Sequence, residues 1–188
     1  KPLIYQGSNG YSRKGKVESA ASQYYSFTRL VTTGTVTIDR KIVEVMGESW
    51  MDKEFGSNQL GEHQVGWDWF SLQLDDQREM MLYILRDQND GIDHASGTVV
   101  AKDGSAMYLD QDAFCVAVTN QWTSDDTGAT YPSGWVLKVA DETLIIQPEI
   151  LAQENRGHKI PSLFYWEGAV KVLDRDGKLL GKGYVELT

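Results

Sequence analysis

A single cysteine, Cys115, stands in 188 residues, so no internal disulfide can form and a disulfide-stapled scaffold is excluded. It lies in the apolar run Ala113–Val118, where its expected role is that of a small buried hydrophobe. The three histidines, His63, His94 and His158, sit in polar, loop-like stretches at no metal-ligand spacing and are expected to face solvent. Neither a metal nor any other cofactor is therefore expected. Basic residues are short: 18 Lys and Arg against 27 Asp and Glu leave a net charge of −9. Phosphate contacts need clustered cations, so a nucleic-acid partner is excluded. No apolar run approaches the ~18 residues of a membrane span, and neither a signal peptide nor a lipobox is present. Because the chain opens on Lys1 rather than Met, an amino-terminal portion is expected to have been removed. The missing leader then says little about location.

What the sequence does have is aromatic residues, six Trp and nine Tyr, in a chain long enough for one domain with a sizeable core. Such residues suit pleated strands and the walls of apolar pockets. Residues 1–22 are rich in Gly, Ser and Lys and read as a linker or long loop. From Tyr24 onward, apolar runs are separated by turn signals such as Asp75-Asp76-Gln77, Lys102-Asp103-Gly104 and Asp174-Arg175-Asp176-Gly177. That is the spacing of consecutive β-hairpins.

Strands are expected at Tyr24–Thr32, Thr35–Asp39, Ile42–Met46, Val65–Leu74, Arg78–Arg86, Gly97–Lys102, Ala113–Trp122, Gly134–Val139, Thr143–Gln147, Leu163–Leu173 and Leu180–Leu187. No helix is expected. An all-β, antiparallel barrel of about ten strands removes exposed edges and is wide enough to enclose a small ligand. A two-sheet sandwich fits the same pattern. Gln153-Glu154, after a turn at Gln147-Pro148, is placed to close one barrel mouth.

Alternation sorts the side chains of Trp67–Leu74. Asp68, Phe70, Leu72 and Leu74 share one face, and Trp67, Trp69, Ser71 and Gln73 the other. On the next strand Arg86 is in phase with Met80, Leu82 and Ile84. An acid and a base at matching ends of one hairpin's apolar face would meet, so an Asp68–Arg86 ion pair is expected there. Its role, structural or functional, is open at this level.

Four stretches carry a resemblance: Gly47-Glu48-Ser49-Trp50-Met51-Asp52-Lys53-Glu54-Phe55, Gly66–Leu74, Tyr165-Trp166-Glu167-Gly168-Ala169-Val170 and Gly183-Tyr184-Val185-Glu186-Leu187-Thr188. Tyr24–Leu30 and the run from Trp122 to Trp135 support them. In order and spacing the chain resembles the AttH and carotenoid hydratase (CrtC)-like family of predicted secreted hydrolases. The resemblance implies a lipocalin-like (calycin) barrel over 23–188, the second of two such domains, with 1–22 as the end of the first and the crossing segment. It also implies a greasy, lipid- or terpenoid-like ligand and a periplasmic, secreted or lipoprotein location. The partners it implies are the amino-terminal domain and an export-type ATP-binding-cassette transporter. Family membership of this kind settles fold better than chemistry.

Two functions are weighed, beside a weaker third in which this domain mainly packs against its missing partner. One is a module that binds a hydrophobic small molecule without turnover. The other is a cofactor-free hydratase or hydrolase. Hydration of a double bond needs an acid kept neutral by an apolar wall and aromatic faces that stabilise a carbocation. Asp52 and Glu54, in phase with Trp50, are the first candidate acids, and Asp68 is the second. Glu167, beside Trp166, is a weaker third. The ligand-binding candidates are Trp50, Trp67, Trp69, Arg86, Tyr165, Trp166, Glu167, Tyr184 and Glu186. One departure stands against carotenoid hydration: the hydratase branch usually has His where this chain has Lys53, and Lys cannot relay protons at neutral pH. No Gly-x-Ser-x-Gly elbow is present, and Cys115 has no basic neighbour to activate it.

Overall fold

The computed structural model describes residues 1–57, 60–89, 91–157 and 164–188; His158 and the expected strand start at Leu163 lie outside them. The strands are β1 Ile4–Tyr5, β2 Tyr11–Arg13, β3 Ala21–Ile38, β4 Lys41–Phe55, β5 Gln64–Leu74, β6 Glu79–Asp87, β7 Ile92–Val100, β8 Ala106–Leu109, β9 Phe114–Val118, β10 Gln121–Thr123, β11 Thr130–Pro132, β12 Trp135–Val139, β13 Glu142–Pro148, β14 Glu154–Arg156, β15 Phe164–Leu173 and β16 Leu179–Leu187. Every pairing is antiparallel, and the helical content among the described residues is one 3₁₀ turn at Gln111–Ala113.

Ten strands form one sheet in the order β8-β7-β6-β5-β16-β15-β13-β12-β9, with β14 added beside β15. Its two end strands, β8 and β9, are consecutive in the chain and joined through the 3₁₀ turn, and Leu109 and Phe114 at that junction enter the same core. The ribbon therefore curls around a single apolar interior, as the alternation requires. That interior is filled rather than hollow. Trp135 packs edge-on against Phe70 with ring centroids 5.6 Å apart and against Trp166 at 6.2 Å, and all three are fully buried. Leu72, Leu82, Leu137, Ile146 and Val185 close the remaining space. The expectation of a ligand cavity inside the barrel is corrected: large aromatic side chains occupy it.

The β10–β11 hairpin lies against this core through the stacked Trp122 and Tyr131. Glu154 holds it there, accepting from Ser124 Oγ at 2.9 Å, Thr127 Oγ1 at 2.6 Å and the Tyr131 hydroxyl at 3.0 Å. Burial alone would raise the Glu154 pKa; these donors and Arg156 outweigh it and keep the carboxyl below its usual range. Cys115 differs from its expected role. In β9 the period of two turns Phe114 inward, and Cys115, opposite Lys138, is exposed.

The second sheet is β3 with β1, β2 and β4 around it. Residues 4–13, read as part of a loop, contribute two strands to it, with Ile4, Gln6 and Ser12 buried. The two expected strands at 24–32 and 35–39 are one continuous β3, and β4 runs on to Phe55. The inner half of this ribbon lies on the outer face of β5 and β6. Wholly buried Glu79 fastens it, taking Arg29 Nε at 2.6 Å and Lys1 Nζ at 3.3 Å, while Gln73 Nε2 donates to the Thr28 carbonyl at 2.8 Å. The outer half ends in a tight two-residue turn at Asp39 and Arg40, both left-handed (φ 49° and 66°) as such hairpins require. It stands clear of the sheet, with Val31 90% and Met46 85% exposed.

Candidate functional site

A row of side chains crosses the outer face of the large sheet: Glu167 on β15, Glu186 on β16, Trp69 on β5, Tyr83 on β6 and Ser96 on β7, each opposite the next. Trp67 and Ser71 flank it on β5, and Tyr184 on β16. The ribbon stands over this row and turns Tyr24, Trp50, Asp52 and Glu54 toward it. Between the two layers lies a cavity of about 1100 Å³ lined by these residues other than Ser96. It is large enough for a drug-sized or lipid-like molecule.

Asp52 is part of its wall. Its carboxylate accepts from Ser26 Oγ and from Trp50 Nε1, the latter at 2.9 Å. Burial pushes its pKa up, opposed by the hydrogen bonds of Ser26, Trp50 and Tyr24 and reinforced by the charge of Glu54. Among the described residues no lysine or arginine pairs with it. Tyr24 accepts from Trp69 Nε1 at 3.1 Å, and burial together with the Asp52 charge holds its phenol protonated well beyond the ordinary range. The Trp50 and Trp69 rings meet edge to face at 6.4 Å and present indole surfaces to the cavity.

Glu54 is held differently. Lys14 Nζ lies 2.6 Å from its carboxylate, and Ser22 donates to it as well. Lys14 also lies over the Tyr83 ring at 4.0 Å, and burial lowers its pKa against the pull of Glu54. In sum the lining sets six acids (Glu48, Asp52, Glu54, Glu149, Glu167 and Glu186) against Lys14 and Lys182. Positive charge developing in such a site is stabilised. Among the described residues no three acids, histidines or cysteines converge in a metal-holding group.

Of the residues expected from sequence, Asp52, Glu54, Trp50, Trp67, Trp69, Glu167, Tyr184 and Glu186 line the cavity. Asp68, Arg86, Trp166 and Tyr165 do not line it. Trp166 is out of phase with Glu167, points into the barrel core and donates its indole N–H to the Leu151 carbonyl at 2.7 Å. Tyr165 lies one pleat beyond Glu167, at the margin. Asp68 faces the core end of β5 and forms the expected pair with Arg86, Nε to Oδ1 3.1 Å. Burial raises the Asp68 pKa, and Arg86 opposes it. Arg86→Met is thus expected to destabilise by a few kcal/mol at neutral pH, toward the lower end of the ~3–5 for a fully buried pair because Arg86 is part-exposed. The loss should shrink on acidification, when Asp68 is protonated; denaturant melts at two pH values measure it, and an equal loss at both would contradict the account.

Lys53 points away from all of this: it is exposed on the opposite face of β4, across from Tyr25. The departure from His at that position therefore does not alter the cavity wall. Tyr24, Lys14 and Tyr83 are site residues that the sequence did not single out. A weak signal existed for Tyr24, since Ser22, Tyr24, Ser26 and Thr28 fall on one face of β3.

A family model of AttH-like proteins matches residues 1–188. The crystal structure of an AttH from Nitrosomonas europaea is 33% identical and superposes with a TM-score of 0.93, over 100% of this chain and 58% of that one. Kievitone hydratase from Nectria haematococca, 17% identical, shares the fold with a TM-score of 0.76, over 99% of this chain and 57% of its own. The chain thus spans little more than half the length of these structures. No curated protein matches it. With an all-β fold, a match over every residue and a relative one-third identical along its whole length, the chain belongs to the AttH-like family.

Proposed function

We propose that the cavity between ribbon and sheet adds water to a carbon–carbon double bond of an apolar small molecule, with Asp52 as the proton donor. The observation that carries this is the Asp52 carboxyl: buried, its pKa raised, unpaired with any cation among the described residues, and walled by Trp50, Trp69 and Tyr24. Protonating carbon requires an acid that holds its proton more tightly than a free carboxyl does, and burial shifts Asp52 in that direction. The cation left on the neighbouring carbon is attracted to the indole faces and to the surrounding carboxylates. Nothing in this scheme needs a nucleophilic side chain. The fold shared with an enzyme named as a hydratase supports the same reading.

A panel of isoprenoid-type alkenes incubated with the protein in ¹⁸O-water tests it. One labelled oxygen per product molecule is expected, at a rate that saturates with alkene. Saturable quenching of Trp fluorescence with no product from any alkene would contradict turnover. It would leave the cavity a binding site, with an export transporter as the partner that takes the ligand onward.

A further inference from the structure

Asp52 accounts for the proton that enters the alkene. The proton that leaves the attacking water needs a second group, and β15 and β16 carry one. Glu167 and Glu186 stand directly opposite each other in the β15–β16 register, on the outer face, both lining the cavity on the wall across from the ribbon. Residues so paired have Cβ atoms roughly 5 Å apart, and two like charges there repel. Among the described residues, cations nearby are engaged elsewhere or distant. Lys14 is bound to Glu54 at 2.6 Å and Lys171 to Glu149 at 3.0 Å. Lys182 stands four residues along β16, about 13 Å of strand away.

We propose that the Glu167–Glu186 pair is the base that deprotonates the attacking water; the role rests on the hydratase reading above. The surroundings favour proton uptake. Burial raises the Glu186 pKa, Glu167 raises it further, and the Trp67 indole N–H offsets this in part. Asp52 and Glu54 on the ribbon add negative charge from across the cavity, and β5 faces the pair with uncharged Trp67 and Trp69. Beside the pair on its own strands, the Glu167 charge raises the Tyr165 pKa, and burial followed by the Glu167 charge raises that of Tyr184.

The step balances as follows. The alkene π electrons form a C–H bond with the Asp52 proton, leaving Asp52 as carboxylate and the adjacent carbon cationic. A water lone pair forms the C–O bond. One O–H bond of the resulting oxonium breaks, its electrons stay on oxygen, and the proton goes to a carboxylate of the pair. The pair returns it to Asp52 through solvent, so the net change is addition of water.

Carboxyl-carbon NMR titration of ¹³C-glutamate-labelled protein, without any alkene, tests the contact between the two groups. In Glu167→Gln the Glu186 step should fall toward the ordinary carboxylate range. A Glu186 step that this substitution leaves in place would overturn the pairing. The base role is read on an alkene that wild type hydrates: each Gln variant should lose about 10²-fold in kcat with KM little changed. A rise in KM with kcat intact would make the two residues ligand contacts only and overturn the base assignment. Because the titration uses no substrate, it stands or falls separately from the hydratase reading.

Discussion

Asp52→Asn is expected to lower hydration about 10²–10⁴-fold, the range that a positioned acid contributes, while leaving the fold intact. The amide keeps the shape and hydrogen bonding of the carboxyl: its oxygen can accept from Trp50 and its NH₂ can donate to Ser26. It has no proton to give to carbon. The same substitution carries a stability prediction of opposite sign. Burial raises the Asp52 pKa in the folded chain, so protonation favours folding. Stability from the neutral carboxyl is fully present below the unfolded value, near ~3.9, and is lost as pH rises through the folded one. Asn escapes that loss. Asp52→Asn should therefore melt higher than wild type at neutral pH, and the gap should close on acidification. Thermal melts across pH, beside initial rates with an active alkene, give both readings. A variant that hydrates at the wild-type rate, or one that is less stable only at neutral pH, would refute the placement of this group.

Trp135→Ala carries the largest expected loss of stability, about 3–5 kcal/mol. The indole is fully buried and packs between Phe70 and Trp166 within the barrel core, so its removal opens a void that its close-packed neighbours fill only in part. Against a typical total of ~5–15 kcal/mol this is a large share. Trp135→Phe should cost much less. Among the described residues the indole N–H has no hydrogen-bond partner, and deleting an orphaned donor recovers part of its burial penalty, roughly 1–3 kcal/mol. Denaturant midpoints for the two variants order them. Equal midpoints for alanine and wild type would mean that the interior is not packed as described.

The two predictions separate what the sequence made legible from what it did not. The β5–β6 hairpin was readable because its two faces differ in kind: Phe70, Leu72 and Leu74 on one, Trp67, Trp69 and Ser71 on the other, with the Asp68–Arg86 pair completing the apolar side. Asp52 and Glu54 were readable by the same rule, two and four residues on from Trp50. The location of the cavity was not readable in this way. A barrel with an apolar inner face suggests a ligand inside, yet whether that space is empty depends on side chains that meet from distant strands. Trp135 and Trp166, 31 residues apart in sequence, fill it together. The phase of β15 already held a warning, since Trp166 and Glu167 are adjacent and cannot line one pocket from the same pleat. The ribbon was harder still. The face of β3 that meets the sheet is Ser22, Tyr24, Ser26 and Thr28, mostly polar, and it is buried because Tyr24 packs on Met81, Tyr83 and Leu85 while the rest meets polar groups: Gln73, Glu79 and the Tyr83 hydroxyl by way of Ser12. Hydrophobic periodicity does not see an interface of that kind. Lys14 escaped for a related reason: a lysine in a Gly- and Ser-rich stretch reads as solvated until a carboxylate and two aromatic rings are brought to it.

The central claim is that a ligand binds outside the barrel, between ribbon and sheet. The six indole N–H signals of ¹⁵N-labelled protein report on it directly, because the tryptophans divide between the two sides of the sheet. Titration with a tight-binding apolar ligand should shift the signals of Trp50, Trp67 and Trp69 and leave those of Trp135 and Trp166 in place. Shifts at Trp135 and Trp166 with the other three unmoved would put the ligand inside the barrel and contradict the account.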